Sequence, residues 1–244
     1  MLNYLLSKIK DYGLLDKIYA KKNSGSREKE IGDENYFRTD IRNGDSPTWV
    51  CFLPWRVNFK QALQLGLIPK NGRVITYEGP IGVANPDPSV AIVLLKRLVD
   101  DLKTLNLNNF NVLSLSIGAY PSFYIANHFN VDKLVAVTPG SKLGACIYKG
   151  MASQCIKKRA VSLGFENGEQ YDSLLADTNP IENLDNLPEN IEIHLATHDF
   201  YIPTIYGEEL IAELMKKKIK TKVVRHNGKG HVLTMIQFGR DNLY

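Results

Sequence analysis

Val112-Leu113-Ser114-Leu115-Ser116-Ile117-Gly118-Ala119-Tyr120 is a short apolar run that stops on a serine and gives way to a helical segment reaching Phe129. Residues 112–115 read as a strand, since a short run without polar alternation suits a strand covered on both faces. The chain must then turn within a few residues. Ser114, two before Ser116, and Gly118, two after, are both small, as a tight turn demands. Pro121 falls in the first turn of the helix, where a missing N–H is tolerated. Such a turn lifts the Ser116 hydroxyl above the sheet edge and aims the Ile117 N–H and the helix N-terminus at the same space.

The same grammar repeats outward. Residues 49–53 and 74–77 are short apolar runs, and 134–137, 191–196 and 222–225 read as strands; they are closed by Pro54, Gly79-Pro80 and Gly82, Pro139-Gly140 and polar loops. Residues 35–41 predict an outer strand; residues 21–33 read as a polar loop or weak strand. Helices are predicted over 59–67 and 86–105, the second capped by Asp87 or Ser89, with Ala91, Leu94, Leu95, Leu98 and Leu102 as its buried stripe. Another is predicted over 204–218 with Tyr206, Leu210, Leu214 and Met215 on one face, and a last one after Val232. Strands alternating with amphipathic helices predict an α/β fold: a mostly parallel central sheet with helices on both faces, in one domain over 1–244. Residues 141–190 break the alternation, carry Gly144, Gly150, Gly164 and Gly168, and read as a small helical insertion or lid.

Composition narrows the function classes. Of 244 residues 44% are apolar and 23% charged, a globular balance, and a net charge of +4 gives no basic stripe for nucleic acid. The densest basic stretch, Lys216 to Lys218, Lys220, Lys222, Arg225 and Lys229, reads as a solvated helix end and an edge strand; an anionic substrate or surface is the alternative. Cys51, Cys146 and Cys155 are odd in number and lack zinc spacing, so a reducing, cytoplasmic setting is expected, with Cys51 in the core. Leu2, Leu5, Leu6 and Ile9 follow a helical period, and Lys8, Lys10, Asp11, Asp16 and Lys17 interrupt any signal-peptide run. No segment approaches the ~20 apolar residues of a membrane span.

A serine hydroxyl needs a base to act as a nucleophile, and the base needs a third group to orient it. Two later loops offer them. In His194-Leu195-Ala196-Thr197-His198-Asp199-Phe200-Tyr201-Ile202-Pro203, Asp199 follows a strand and precedes a helix; in Asn227-Gly228-Lys229-Gly230-His231, His231 follows the last strand. Taken singly, Asp199 is equally a helix cap, and Ser-x-Ser-x-Gly an ordinary turn. Jointly, Ser116, Asp199 and His231 come in that chain order, each at a strand end. Over about residues 48–235 the chain resembles the α/β-hydrolase superfamily, whose nucleophile elbow is usually Gly-x-Ser-x-Gly.

That resemblance implies a serine hydrolase: Ser116 nucleophile, His231 base, Asp199 acid, and an acyl-enzyme formed from a carboxylic ester or thioester. The substrate is a small acyl molecule, and neither cofactor nor metal is needed. Ile117 N–H supplies half of the oxyanion hole. The other half should follow residues 49–53, where many relatives carry His-Gly and this chain has Leu53-Pro54-Trp55-Arg56. Pro54 has no N–H, so Trp55 is the first candidate donor and Arg56 the second. Trp55 is equally core or a pocket wall; Arg56 is a candidate for a substrate carboxylate or phosphate, or a surface ion pair. Among the other histidines, His128 lies on the helix, His194 is structural, His198 lines the pocket beside the acid, and His226 is the rival base. Ile147, Met151, Ile156, Val161 and Leu163 form the lid core or an acyl pocket. Two alternatives stand beside hydrolysis: acyl transfer with the same triad, and a non-catalytic binding member of the fold. The sequence leaves the oligomeric state open.

Overall fold

Strands without polar alternation need cover on both faces, and the chain provides it. The structure, a computed structural model, describes residues 37–44, 46–55, 57–78, 84–175 and 177–241. The expected helix about residues 2–9, the polar stretch 21–33, the Gly79-Pro80 and Gly82 turn, and Arg56 lie outside the described residues. Seven strands form one sheet: β1 (Phe37–Arg42), β2 (Thr48–Phe52), β3 (Arg73–Glu78), β4 (Phe110–Leu115), β5 (Val131–Val137), β6 (Asn190–Ala196) and β7 (Thr221–His226). Their order is β1-β3-β2-β4-β5-β6-β7. β1 pairs antiparallel with β3, and every other neighbouring pair is parallel.

The helices are α1 (Phe59–Gln64), α2 (Pro88–Thr104), α3 (Ala119–His128), α4 (Leu143–Lys149), α5 (Gln154–Ser162), α6 (Gly168–Leu174), α7 (Thr204–Lys216) and α8 (His231–Asp241). Side chains alternate between the sheet's faces with period two, and each face has its own helical layer. Val112 of β4, Leu134 and Ala136 of β5 and Ile191 and Ile193 of β6 pack with Leu98 of α2, Phe123 of α3 and Leu210 and Leu214 of α7. Leu113 and Leu115 of β4 and Val135 and Val137 of β5 face the other way, against Ala62 of α1 and Met235 and Phe238 of α8. Each fully buried aliphatic side chain in these layers contributes roughly 1.5–3 kcal/mol.

Local signals set the helix ends. Asp87 caps α2 by accepting the Ser89 N–H at 2.9 Å, with Pro88 at the first helical position. On α7 the buried stripe is Gly207, Leu210, Ile211 and Leu214, whereas Met215 is 70% exposed. Met215 was expected on that stripe; it lies a further ~100° round the helix from Leu214 and so faces water. The basic stretch is a solvated, paired surface: Lys217 bonds Asp185 at 2.6 Å and Arg225 holds Glu208 through two bonds of 2.8 and 2.7 Å, on α7 and the edge strand β7.

Between β5 and β6 the alternation stops, and α4, α5 and α6 form a small cluster of their own. Ile147, Tyr148, Ile156, Ala160 and Tyr171 are buried there with Leu95 of α2 and Tyr120 of α3. Side chains satisfy the start of α4: Asp172 accepts the N–H groups of Gly144 (2.7 Å) and Ala145 (2.9 Å), and Asn179 that of Leu143 (2.8 Å). Of the five apolar residues expected there as core or pocket, Ile147 and Ile156 are buried and Met151, Val161 and Leu163 are exposed. Among the described residues no helix is long and apolar enough to cross a membrane.

Candidate active site

The site begins where β4 ends. Ser116 has φ 57, the left-handed region that L-residues with a side chain seldom adopt, and a short 3₁₀ turn over Ser116–Gly118 feeds α3. The turn lies flat on β2: a Cβ on Gly118 would stand 2.5 Å from the Phe52 carbonyl oxygen. Ser114 is buried, and its Oγ accepts a bond from Ser122 Oγ at 2.9 Å, so the smaller-than-average residue on the strand is also held by α3.

Two further loops converge on the serine. After β6, Asp199 Oδ1 accepts the N–H groups of Tyr201 (2.8 Å) and Ile202 (2.9 Å), an Asx-type turn that leaves Oδ2 free to face inward. After β7, Gly228 with φ 70 reverses the chain, and His231 opens α8. The two loops are tied together: the His198 N–H donates to Lys229 O (3.0 Å) and the Gly228 N–H to Thr197 Oγ1 (2.9 Å). The result is one chain of bonds. His231 Nδ1–H donates to Asp199 Oδ2 at 2.6 Å, and Ser116 Oγ–H donates to His231 Nε2 at 2.7 Å. Both the Asp199 carboxylate and the imidazole are almost wholly buried, with side-chain exposures of 3% and 2%. A carboxylate on Nδ1 fixes the tautomer in which Nε2 carries the lone pair toward the serine.

Ser116 and His231 open into a cavity of about 280 Å³. Its lining is chiefly apolar, with Trp55, Ile117, Tyr120, Ile147, Ile156 and Met235 among its walls. Lys142 is the one Lys, Arg, Asp or Glu among the described lining residues. The Cys146 thiol also faces this space, and burial raises its pKa well above the usual value, so it is held as a neutral thiol.

The structure brings together Ser116, Asp199 and His231, and sets Ile117 and Trp55 on the same cavity. His198 is corrected: it is exposed, its ring lies 3.2 Å from Thr197 Oγ1, and it is not among the cavity walls. The Asx turn carries the chain after Asp199 inward and leaves the residue before it outside. His226, the rival base, lies elsewhere. Its Nε2 is 3.0 Å from Nδ1 of His194, whose Nε2 is 3.1 Å from Glu192 Oε1 and whose ring meets Phe238 of α8 edge-on at 4.8 Å. Burial above all lowers the His194 pKa from 6.5 to about 4, so the imidazole is neutral at pH 7 and its contact with Glu192 is a hydrogen bond.

Sequence reasoning missed Tyr201. Its ring lies parallel to the His231 imidazole, 8° between planes and 5.0 Å between centroids, and it lines the cavity. The available signal was its place two residues after Asp199, which the Asx turn folds back over the acid's partner.

No protein-family model matches the chain, and no curated protein sequence does. Solved structures do match its fold. The capsule O-acetyltransferase of Neisseria meningitidis serogroup A aligns with TM-score 0.59 at 16% identity, over 84% of this chain and 90% of that one. An esterase from Exiguobacterium antarcticum aligns with TM-score 0.51 at 14% identity, over 85% and 97%. The acylaminoacyl peptidase of Pyrococcus horikoshii aligns with TM-score 0.55 at 10% identity, over 85% of this chain but 37% of that one, so the chain spans little more than a third of the peptidase. These likenesses are of fold, and with this chain's own mostly parallel sheet they make it an α/β-hydrolase-fold protein.

Proposed function

We propose that this chain is a serine hydrolase that cleaves a carboxylic ester or thioester of a small apolar acyl group. One observation carries the reading: the unbroken Ser116–His231–Asp199 chain of bonds, 2.7 and 2.6 Å, opening into an apolar cavity. In this reading His231 Nε2 takes the Ser116 proton as Oγ attacks the acyl carbonyl. Asp199 stabilises the imidazolium without taking its proton. The N–H of Ile117, with that of Trp55 as second donor, holds the oxyanion, each worth about 3–4 kcal/mol. His231 then protonates the leaving alcohol or thiol, and water attacks the acyl-enzyme with the same base. No cofactor enters this scheme. α4 to α6 act as a small lid over the acyl group.

Cavity size bounds the acyl group. An apolar cavity of about 150 Å³ accommodates a benzene ring. By that scale about 280 Å³ takes roughly eleven heavy atoms, a chain of up to about ten carbons with no charge along it. Cys51, Cys146 and Cys155 are buried and form no disulfide, which suits a reducing, cytoplasmic setting.

A second reading is acyl transfer, in which an alcohol, thiol or amine displaces water at the acyl-enzyme. The apolar lining favours it, because little in that wall orders water, and the likeness to the capsule O-acetyltransferase agrees. A third is a ligand-binding protein without turnover. A fluorophosphonate probe tests the reading directly: it should label the wild type and not Ser116→Ala. Absence of label on the wild type, or equal label on both, overturns it. p-Nitrophenyl esters and acyl-thioesters of graded length, with and without an added alcohol acceptor, then separate hydrolysis from transfer.

A further inference from the structure

We infer that Tyr201 is a positioning residue for His231: the face of its ring both holds the imidazole plane and favours its protonated form. The inference rests on the hydrolase reading for its kinetic consequences but on geometry for its substance. The two rings are parallel within 8° at 5.0 Å, inside the range of offset aromatic stacking and of cation–π attraction. The imidazole is buried, so bulk water screens that attraction little.

Tyr201 is itself held on three sides. Its N–H donates to Asp199 Oδ1 at 2.8 Å, so the carboxylate that orients Nδ1 also sets the backbone of the stacking residue. Before it, Phe200 O accepts the Met151 N–H at 2.8 Å. Its own carbonyl oxygen abuts Gly150, where a Cβ would stand 2.1 Å away. The backbone that carries the ring is thereby held from the Asp199 loop on one side and the α4–α5 connection on the other. Other titratable or charged groups near the imidazole are Asp199 on Nδ1, Ser116 on Nε2, and Lys142, Cys146 and Tyr120 on the cavity wall, with Lys229 two residues before it in the chain. Tyr201 presents a π face to the imidazole.

Because the stack favours imidazolium, removing it lowers the pKa of the base. In Tyr201→Leu the acid limb of the kcat/KM profile should move down by about half to one pH unit, and kcat should fall about tenfold as the ring loses its fixed plane. Tyr201→Phe keeps the face and should retain the wild-type position of the limb. The same shift should appear in the imidazole ¹H–¹⁵N titration of His231 measured in a Ser116→Ala background. That measurement needs no turnover, so it still reports on the stack if the fluorophosphonate test overturns the hydrolase reading. An unmoved His231 titration in Tyr201→Leu, or a Tyr201→Phe limb displaced as far as the leucine variant's, overturns the inference. Should Tyr201→Leu fail to fold, Tyr201→Met is titrated in its place, with the same outcomes.

Discussion

Asp199 divides its carboxylate between His231 and its own loop: Oδ2 takes the His231 Nδ1–H at 2.6 Å, while Oδ1 takes the N–H groups of Tyr201 and Ile202. One side chain therefore sets both the tautomer of the imidazole and the shape of the loop around it. Asp199→Asn separates these tasks. The amide oxygen can still accept the loop N–H groups, but the side chain's other end is then an N–H donor facing Nδ1. The imidazole must turn its lone pair toward the amide and its N–H toward Ser116. With the loop intact, kcat toward an activated ester should fall by about 10³–10⁴-fold with little change in KM. A fall under tenfold, measured alongside the melting temperature, would show that Asp199 serves the loop alone.

Gly118 carries the second prediction. The missing Cβ would meet Phe52 at its carbonyl oxygen (2.5 Å) and its Cβ (2.9 Å), both in the rigid middle of the sheet. Gly118→Ala must move the turn, and Ser116 sits in that turn. A displacement near 1 Å costs about a hundredfold in rate. Overpacking costs about 1–3 kcal/mol in stability. Turnover assayed well below the melting temperature should thus fall far more than the melting temperature suggests. Wild-type turnover in this variant would mean that the turn can shift without moving the serine.

The legible parts of this molecule are those whose causes are local. Residues 112–121 spell a buried strand, a turn with small residues and a proline-tolerant helix start, and the structure follows that order because each step depends on its neighbours alone. Asp199 and His231 were likewise found from strand ends, and the structure brings them to Ser116. What was missed depends on direction rather than type. His198 and Tyr201 flank the same carboxylate within two residues, and only the bonds from Asp199 Oδ1 decide which ring turns inward. His226 ends β7 and His231 lies five residues on; Gly228 at φ 70 turns the chain between them, leaving His226 beside His194 and bringing His231 to Ser116. The helices of 141–190 are short, so their stripes carry too few turns for periodicity to tell Ile147 from Met151.

The line of His226, His194 and Glu192 beneath α8 predicts an acid-sensitive fold. Burial keeps His194 neutral by lowering its pKa from 6.5 to about 4, and burial also lowers that of His226. A group whose folded pKa lies below its unfolded value binds its proton first in the unfolded chain. Stability is therefore full above pH 6.5, falls as pH drops toward 4, and loses nothing further to His194 below that. The loss is roughly 3 kcal/mol for His194 alone. Glu192 adds a later loss. Although burial opposes it, its bonds to Lys222 and its neighbours His194 and Lys133 lower its pKa, so its contribution fades only below 4.5. Urea unfolding at steps from pH 7 to pH 4 should show this slope in the wild type. His194→Gln should flatten it, and equal slopes would remove His194 as its cause.

Gly150, between α4 and α5, links these helices to the site, and it does so sterically. Its backbone is ordinary, φ −72 and ψ 137, so alanine would fit the local conformation without strain. The obstacle is space: a Cβ there would lie 2.1 Å from Tyr201 O and 2.6 Å from Cys146 O, two backbone atoms that cannot rotate away. Gly150→Ala must push the acid loop off α4, carrying Tyr201 from the face of His231 and pulling on the bond from Tyr201 N–H to Asp199. Fluorophosphonate labelling of Ser116 should slow by about tenfold or more, and the melting temperature should fall. Lys149→Ala, one residue earlier and exposed, should change neither. If Gly150→Ala lowers the melting temperature but labels at the wild-type rate, α4 and α5 can move without the Asp199 loop. The contact would then be packing only, and these helices would have no hold on His231.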